Sequence, residues 1–375
     1  MIEVRQVRTK KEQREFLNFP LDLYANCPYF APPLYLDEKK IFKSDYYYYK
    51  TSDAIYFNAY DEKGKIVGRI SAILNKASNK KWNQNRVRFT RFDCIDDQEV
   101  ADKLFEAVER WAKETCHATE IVGPLGFSDF ERQGLLIEGF EEMSTFEEQY
   151  NYPYYQKLIE HNGYIKDVDW VERKLSEPDE AEEKRIERVV DSIMKRDGFK
   201  LLTFKNTNEI IKRYADQFFD LVDETYADLY GTVPFIKEQR EDIIQGFRLL
   251  LSPFYIRLIV DKDDKLAAYG LCFPSITKAL QKSRGHLSLP TIFRILKAKK
   301  NPEVIDLGII GVSSKYRNCG VAWCIFLEIM RYLHTGNIKY CETNLNLEDN
   351  TAIINNWKRF KNVLHKRRRC FIKKL

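Results

Sequence analysis

Apolar and polar residues change along the chain in the same order in both halves. In the first half, β-rich runs at 54–60 and 66–73 flank a short polar turn, a pattern that is typical of a β-hairpin. In the second half, runs at 255–260 and 266–273 flank the polar turn 261–265 in the same way. The second hairpin lies 200 residues after the first, so the chain is predicted to repeat one arrangement.

Each hairpin stands within a longer alternation of strands and helices. A short strand is predicted before each hairpin, at 2–7 and 199–204, and helices at 208–226 and 236–251 come before the second one. After each hairpin we predict a strand, a helix, a strand, a helix and a final strand. These elements fall at 87–94, 98–114, 120–123, 154–162 and 164–174 in the first half, and at 304–312, 320–335, 339–346, 351–361 and 365–372 in the second. The alternation predicts mixed α/β layers, duplicated once.

A highly charged segment separates the two halves. Thirteen of the twenty-one residues from Glu177 to Asp197 are charged, and Pro178 marks the start of a helix. Apolar residues recur there at helical spacing. We therefore predict domains at 1–175 and 198–375, joined by a connecting helix at 176–197.

Length and composition are those of a folded globular protein. The 375 residues are 44% hydrophobic and 31% charged. Because a typical domain has about 100–200 residues, this length favours two domains. No run approaches the ~18 apolar residues of a spanning helix, and the amino end lacks the apolar segment of a secretory signal. We therefore expect a cytoplasmic protein without a membrane span.

The eight cysteines include no Cys-x-x-Cys pair and only five histidines accompany them, so no metal site is expected.

The strongest chemical signal follows the apolar strand 304–312. A polar loop containing Arg317-x-x-Gly320-x-Ala322 comes next, and an apolar helix follows it. Free N–H groups and the dipole at the amino end of a helix favour an anion such as a pyrophosphate. Gly320 and Ala322 are small, which allows close approach of the backbone to such a ligand. The alternative interpretation is a plain turn between a strand and a helix.

This loop and the order of elements around it resemble the GCN5-related N-acetyltransferase (GNAT) superfamily, whose acetyl-CoA loop reads Gln/Arg-x-x-Gly-x-Gly/Ala. The resemblance covers most of residues 199–375, with a weaker echo in 1–175. The segments Pro-Pro-Leu, Gly-Pro-Leu-Gly-Phe-Ser-Asp and Leu-Glu-Asp-Asn look most like an uncharacterised bacterial tandem branch. The resemblance implies an α/β fold of two fused GNAT-like acyl-CoA N-acyltransferase domains, with mixed central sheets flanked by helices. It also implies acetyl-CoA or another acyl-CoA as the cofactor.

The resemblance implies three groups of cofactor-binding residues. Backbone N–H groups on the strand would polarise the thioester carbonyl, loop residues would hold the pyrophosphate, and an asparagine would orient the pantetheine or the nucleophile. The strand residues are Ile310, Gly311 and Val312, the loop residues are Arg317, Asn318, Cys319, Gly320, Val321 and Ala322, and the asparagines are Asn344 and Asn350, of which Asn350 is also predicted to cap a helix.

The reaction that the resemblance implies is direct acyl transfer from CoA to the amine of a small molecule or a peptide. Glu342 and Asp306 are candidates to accept the proton of the amine, because they lie on the strands predicted to flank the acyl group; the alternative for both is a structural role. GNAT proteins carry a tyrosine, which can protonate the departing thiolate, at the position of Trp357, and an indole is no useful acid. Tyr340 or Tyr332 would have to substitute, unless both are core or surface residues.

The first half is predicted to be a degenerate copy. Asp96-Asp97-Gln98-Glu99 stands where the second half has its loop, and these carboxylates suit a helix dipole but repel a pyrophosphate. The segment 123–140 is rich in glycine and aromatic residues and follows a strand end. It is either a surface that binds substrate or a structural loop.

The charge of the chain is concentrated at one end. The net charge is +5, and the last eighteen residues hold nine Lys or Arg and no acid, so the rest sums to 5 − 9 = −4. The basic tail, Lys366-Arg367-Arg368-Arg369, either attracts an acidic substrate or the 3′-phosphate of CoA, or forms a solvated strand face.

Two other functions stay open. One is a catalytically silent CoA-binding protein with a regulatory or scaffolding role, which Trp357 favours. The other is a protein that binds nucleic acid or an anionic surface through the basic tail. Nucleic acid is not the expected partner, because no zinc, helix-turn-helix or RNA-recognition motif accompanies the tail.

Overall fold

A computed structural model describes all 375 residues, Met1–Leu375, as fourteen strands and twelve α-helices. The strands are β1 (Glu3–Gln6), β2 (Ser52–Tyr60), β3 (Ile66–Asn75), β4 (Arg86–Cys94), β5 (Glu120–Gly123), β6 (Leu135–Glu138), β7 (Ile165–Ser176), β8 (Lys200–Leu201), β9 (Ile256–Val260), β10 (Leu266–Pro274), β11 (Val304–Val312), β12 (Tyr340–Thr343), β13 (Asn346–Leu347) and β14 (Lys361–Lys374). The helices are α1 (Lys10–Leu23), α2 (Tyr35–Glu38), α3 (Lys76–Trp82), α4 (Gln98–Glu114), α5 (Tyr154–His161), α6 (Glu180–Asp197), α7 (Thr207–Thr225), α8 (Lys237–Phe247), α9 (Thr277–Gln281), α10 (Leu289–Lys300), α11 (Ala322–Leu333) and α12 (Thr351–Trp357). None of the helices combines the length and the apolar composition that a membrane crossing requires.

The chain forms two compact units, and neither is continuous in sequence. Unit 1 consists of Met1–Val171, Thr277–Ile292 and Lys366–Leu375, and unit 2 of Glu172–Ile276 and Phe293–His365. The domains predicted at 1–175 and 198–375, with a connecting helix at 176–197, stay a prediction. The compact units combine segments from both halves.

Unit 1 is built on a mixed sheet in the order β1-β2-β3-β4-β5. The first four strands are antiparallel neighbours, whereas β4 and β5 run parallel. The last residues of β14 complete this sheet, because Phe371–Lys374 pair antiparallel with β5. Helix α4 packs on the sheet and buries Leu104, Phe105 and Val108 in the core of the unit. Burial of such side chains is the main stabilising contribution in the unit.

Unit 2 repeats this order as β8-β9-β10-β11-β12. Its strands are antiparallel neighbours up to β11, and β11 and β12 run parallel. Residues of β7 complete the sheet, where Lys174 and Leu175 pair with Glu342 and Cys341 of β12. Helices α6 and α11 pack against each other over the apolar core of this unit.

Most elements lie where the apolar pattern predicts them. Both hairpins are confirmed, as are the strand at 304–312 and the helix at 98–114. The predicted strand 199–204 is reduced to β8, and the helix predicted at 351–361 ends at Trp357 because β14 already begins at Lys361. Helix α6 begins after Pro178 as expected, and Gly198 ends it in a left-handed conformation, a common helix stop.

The basic tail is not a solvated strand face. Lys366 and Arg368 are fully buried in unit 1. The Nε of Arg369 donates to Oδ1 of Asp169 at 2.8 Å, and the Nε of Arg368 lies 3.5 Å from Oε2 of Glu148. Buried cations of this kind are held by carboxylates in the same interior. The tail therefore lacks the solvent-exposed row of cations that an acidic ligand or a nucleic acid would contact.

Candidate functional site

Unit 2 contains a cleft where two parallel strands separate. Strands β11 and β12 pair from Val304 and Tyr340 up to Leu307 and Thr343. Beyond that point they part, and Nδ2 of Asn344 donates to the carbonyl of Gly308 at the point of separation. The pairing of β10 with β11 also shifts register here, so Gly308 forms a bulge. A bulge bends its strand and re-aims the backbone beyond it.

The free edge of β11 presents two backbone N–H groups to this cleft. Ser313 N donates to Ala267 O at 2.9 Å, which fixes the direction of the strand. Because backbone groups alternate along a strand, the N–H groups of Ile310 and Val312 point away from β10, toward the cleft. Neither group donates to a backbone or side-chain acceptor of the chain.

Gly311 has a different place from its two neighbours. By the same alternation its N–H group points to β10. A Cβ atom there would lie 2.4 Å from the Tyr269 side chain. The residue is therefore small because of packing within the sheet.

The turn between β11 and α11 ends in further free N–H groups. Tyr316 N donates to Ser313 O at 2.8 Å and begins a tight turn. The backbone N–H groups of Gly320, Val321 and Ala322 donate to no carbonyl of the chain, and no side chain caps α11. These groups lie at the positive end of the dipole of an apolar helix, an arrangement that binds phosphate in many proteins. Of the other predicted loop residues, Arg317 and Asn318 are exposed and Cys319 is half-buried.

Gly320 is required by the backbone of this turn. Its φ is +83°, in the left-handed region that favours glycine. A Cβ atom would also lie 2.8 Å from Cδ1 of Ile193, a buried residue of α6. Helix α6 thus packs against the back of the turn, and the opposite side stays accessible.

Asp261, in the β9–β10 hairpin turn, anchors the same loop. Its carboxylate accepts from the hydroxyl of Tyr316 at 2.7 Å and from Asp263 N and Lys265 N at 2.9 and 3.0 Å, and Nζ of Lys315 lies 3.4 Å away. Burial alone would raise the pKa of Asp261, but these hydrogen bonds outweigh it and lower the pKa to about 2. The group is therefore a permanent anion that fixes the loop.

Glu224 of α7 holds the beginning of the turn. Its Oε1 accepts from Ser314 N at 2.6 Å and from the Ser313 hydroxyl at 3.2 Å. Burial opposes ionisation of Glu224, yet these hydrogen bonds keep its pKa below the usual value. The first part of the turn, residues 313–316, is thus fixed by two carboxylates before any ligand binds.

Two carboxylates stand side by side below the cleft. Asp306 and Glu342 are register partners on parallel strands, so their side chains lie on the same face of the sheet. Both are buried, at 3% and 4% exposed. The Nε2 of His365 lies 3.3 Å from Oε1 of Glu342. The sequence pattern gave no reason to select His365, because its partner lies on another strand.

The aromatic residues near the cleft differ in their availability. Nε1 of Trp357 donates to Oδ1 of Asn346 at 2.7 Å within the core of unit 2. The Tyr332 hydroxyl donates to Phe254 O at 3.0 Å, and burial raises its pKa, so Tyr332 is a core residue. Tyr340 is half-buried and lies on the same face of β12 as Glu342.

The two asparagines of the predicted site have structural contacts. Oδ1 of Asn350 accepts from Ile353 N at 3.3 Å, which confirms it as the cap of α12. Asn344, as described, bridges the separated strands. Asn344 therefore has a structural role where the strands separate, and Asn350 has one at the start of α12.

In unit 1 the equivalent strand edge is filled. Ile95 N donates to Val67 O, just as Ser313 N donates to Ala267 O, so Cys94 has the register of Val312. Here, however, Cys94 N donates to the hydroxyl of Tyr155 at 3.0 Å. Tyr155 is fully buried.

The equivalent helix corner of unit 1 is filled as well. Oδ1 of Asp97 accepts from Glu99 N at 2.8 Å and caps α4. Oε1 of Glu99 in turn accepts from Ile2 N at 3.3 Å. The end of α4 is thus capped by the carboxylate of Asp97, and the corresponding end of α11 has no side-chain cap.

The glycine-rich segment at 123–140 contains a tightly packed loop. Phe127 is fully buried, and its ring stacks on Tyr48 with centroids 4.9 Å apart. Phe127 N donates to Oε2 of Glu131 at 2.7 Å, and Phe127 O accepts from Nδ2 of Asn75 at the same distance. These contacts favour the structural interpretation of the loop around Phe127.

Comparison with curated proteins finds distant relatives that match most of the chain. No protein-family model matches it. It is 25% identical to Protein YghO of Escherichia coli (strain K12) over 99% of the chain and 95% of that protein. It is 22% identical to bacterial ceramide synthase of Caulobacter vibrioides over 76% of the chain and 73% of that protein.

Comparison with solved structures shows the fold. A tandem GNAT protein from the clavulanic acid biosynthesis pathway aligns over 100% of this chain and 98% of its own, with a TM-score of 0.54 and 13% identity. The GCN5-related glucosamine N-acetyltransferase region of a fungal GH3 β-N-acetylglucosaminidase aligns over 100% of this chain and 38% of its own, with a TM-score of 0.56 and 10% identity. The predicted fold class is confirmed: the chain has the GNAT fold, with two fused GNAT-like α/β units.

Proposed function

We propose that the protein is an N-acyltransferase that binds acyl-CoA in unit 2 and transfers its acyl group to an amine. The observation that carries this proposal is the difference between the two units. The N–H groups of Val312 and of the turn at 320–322 are free, whereas the equivalent positions of unit 1 are occupied by Tyr155 and Asp97. In one copy of the site the protein's own side chains take up the N–H groups, and in the other copy these groups have no partner. We infer that the second copy binds a ligand.

The free groups fit a CoA thioester. The N–H groups of Ile310 and Val312 are placed to polarise a carbonyl oxygen in the cleft, as preorganised donors do in acyl transfer. The turn at 320–322 suits a pyrophosphate, and exposed Arg317 lies beside it. Bound acyl-CoA would supply the activated acyl group.

The proton balance assigns roles to the buried carboxylates. The amine nitrogen bonds to the thioester carbon, the C–S bond breaks, and the ammonium group must lose a proton while the thiolate gains one. Glu342, whose Oε1 lies 3.3 Å from Nε2 of His365, is the proposed proton acceptor, with Asp306 beside it. The Trp357 indole donates to Asn346, and Tyr340 pairs with Val304, about 20 Å along the strand from Ile310. The proposed proton donor to the thiolate is therefore water.

The acceptor class is suggested by one relative. A ceramide is an amide between a fatty acid and the amine of a long-chain amino alcohol, and the chain is 22% identical to a bacterial ceramide synthase. A long-chain amino alcohol is therefore the first acceptor to test. Acyl-CoA donors of increasing chain length belong in the same experiment.

Calorimetric titration of the purified protein with acetyl-CoA and longer acyl-CoA tests the binding step. We expect binding in the micromolar range that Gly320→Glu abolishes, since the new carboxylate would repel the pyrophosphate. Gln98→Glu places the same group at the equivalent corner of unit 1 and should leave the affinity unchanged. Equal affinity of Gly320→Glu and wild type would reject the assigned site.

Release of free CoA thiol in the presence of amino alcohols, small amines and peptides tests the transfer step. Glu342→Gln should lower the rate by about 100-fold or more, with unchanged affinity for acyl-CoA. Tight binding without thiol release across the whole panel would reject the transferase. It would favour the silent CoA-binding protein, to which Trp357 already points.

A further inference from the structure

Helix α10 presents an apolar stripe that no part of the protein covers. Leu289, Phe293 and Leu296 are 73%, 71% and 45% exposed. With about 100° of rotation per residue, positions 289, 293 and 296 fall on one side of a helix. Exposed apolar residues usually occur singly, so three on one helix side call for an explanation.

The opposite side of α10 is fixed to the protein. Ile295 is 1% exposed, and Nζ of Lys299 donates to Leu249 O at 2.6 Å and to Leu251 O at 3.0 Å. The helix is therefore held in place by one side while the apolar stripe points to solvent. It does not depend on a partner for its own fold.

All charged residues of α10 are basic. Leu289–Lys300 contains Arg294, Lys297, Lys299 and Lys300 and no acid. Arg294, Lys297 and Lys300 of α10 are all exposed. Apolar side chains flanked by cations are the signature of a helix that lies in the headgroup region of a membrane.

We propose that α10 binds the surface of an anionic phospholipid bilayer, with Leu289, Phe293 and Leu296 inserted among the acyl chains and Arg294, Lys297 and Lys300 on the phosphates. Three side chains cannot form the ~800 Å² that a stable protein interface buries on each partner. A shallow apolar insertion supported by cations needs no such area, because each cation near an anionic surface adds its own attraction. This surface function is independent of acyl transfer, although it would bring the protein to a lipid acceptor.

Sedimentation of the full-length protein with vesicles tests the proposal. We expect binding to vesicles of phosphatidylglycerol and phosphatidylcholine in equal parts, and weak binding to pure phosphatidylcholine. Phe293→Glu should lower the affinity at least about tenfold through loss of insertion and added repulsion. Lys297→Gln should lower it about fivefold, and high salt should weaken the wild type in the same direction.

Two control variants separate this surface from general effects. Leu36→Glu changes another exposed leucine, 60% exposed on α2, and Lys113→Gln removes an exposed cation from α4; neither should alter vesicle binding. The proposal is overturned if the wild type stays in the supernatant with anionic vesicles, or if Phe293→Glu binds them equally. Binding to single-stranded RNA but not to vesicles, or a dimer that Phe293→Glu dissociates, would also overturn it.

Discussion

At the scale of single residues, the turn before α11 depends on one glycine with two separate functions. The sequence pointed to Gly320 because a small residue allows backbone to approach a phosphate. The structure adds that its φ of +83° and its contact with Ile193 of α6 both require glycine. A substitution at Gly320 therefore changes the positions of the N–H groups as well as the space that a phosphate would need beside them.

We expect Gly320→Ala to weaken acyl-CoA binding at least about tenfold and to cost about 1–2 kcal/mol of unfolding free energy, because a Cβ atom strains the left-handed conformation. Gly336→Ala is the matched control, since Gly336 has a φ of +61° and nothing within 4 Å of its added Cβ. It should show a similar loss of stability in urea with unchanged affinity in calorimetry. Equal affinities for the two variants would contradict the role of the turn.

Asp261 gives a prediction about pH. Its folded pKa of about 2 lies below the ordinary value of 3.8, so its contribution to stability is present above about pH 4 and is lost as the pH falls toward 2. Asp261→Asn should therefore cost about 1 kcal/mol at neutral pH, after allowance for solvent screening. The difference from wild type should shrink in urea unfolding as the pH is lowered from 5 to about 2.5.

The exposed neighbour Asp263 provides the control for this experiment. Asp263→Asn alters the charge of the same hairpin turn without changing a contact to Tyr316 or to the turn between β11 and α11. A loss of stability in Asp261→Asn that persists unchanged at the lowest pH would show that the carboxylate charge is not what holds the loop.

Residues that act within one stretch of chain could be predicted, and those that act across strands could not. Gly320 and the cap Asn350 lie within local turns whose residue types have a direct physical reason. Asp261 and His365 act on residues 55 and 23 positions away. Their roles depend on strand pairing, which the apolar pattern does not specify.

At the scale of elements, helix α5 explains why unit 1 lacks an open strand edge. The Tyr155 hydroxyl meets Cys94 N at 3.0 Å, and the Tyr24 hydroxyl donates to it at 2.8 Å. Burial raises the pKa of Tyr155 far above its usual range, so the hydroxyl stays neutral. One side chain of a helix thus takes the place that a thioester carbonyl would occupy beside the strand.

We expect Tyr155→Phe to destabilise unit 1 by about 1–3 kcal/mol, because the buried N–H of Cys94 would lose its acceptor, whereas Tyr24 can still donate to Asp93. Acyl-CoA affinity, which we propose to be a property of unit 2, should not change. Tyr152→Phe is the control, since the half-buried Tyr152 hydroxyl makes only a 3.4 Å contact with Leu23 O. Thermal unfolding of both variants measures the difference. A Tyr155→Phe protein as stable as Tyr152→Phe would mean that this hydroxyl does not secure the strand.

Element boundaries were predictable where the period of apolar residues is clear. The hairpins and α4 lie within two residues of their predicted limits because each buries one regular face. Helices α9 and α10 were not predicted. The apolar stripe of α10 has helical spacing, but it faces solvent, whereas such stripes usually face the core. The apolar pattern therefore does not indicate which side of α10 packs against the protein.

At the scale of the whole molecule, each unit completes its sheet with residues from the end of the other half of the chain. Residues 172–176 of β7 belong to unit 2, and Lys366–Leu375 belong to unit 1. The sequence showed two similar series of elements but could not show this exchange, because the apolar pattern of a strand does not specify which sheet it joins. Only the pairing partner distinguishes them.

We expect Phe371→Ala to cost about 3–5 kcal/mol, because Phe371 is fully buried in the core of unit 1 and its removal leaves a cavity. Val363→Ala is the control on the same strand, with Val363 64% exposed, and should cost less than about 0.5 kcal/mol. Urea unfolding followed by a probe in each unit should place the loss in unit 1. A loss confined to unit 2 would contradict the assignment of the last strand.

The order of synthesis gives this exchange a consequence. A ribosome makes Met1–Val171 of unit 1 before unit 2, yet the strand that pairs with β5, Phe371–Lys374, is made only after unit 2. Domains that are continuous in sequence generally fold one after another as they emerge. Here β5 must wait with an unpaired edge until all of unit 2 has been made, so a nascent chain that stalls within unit 2 carries an exposed edge available for aggregation.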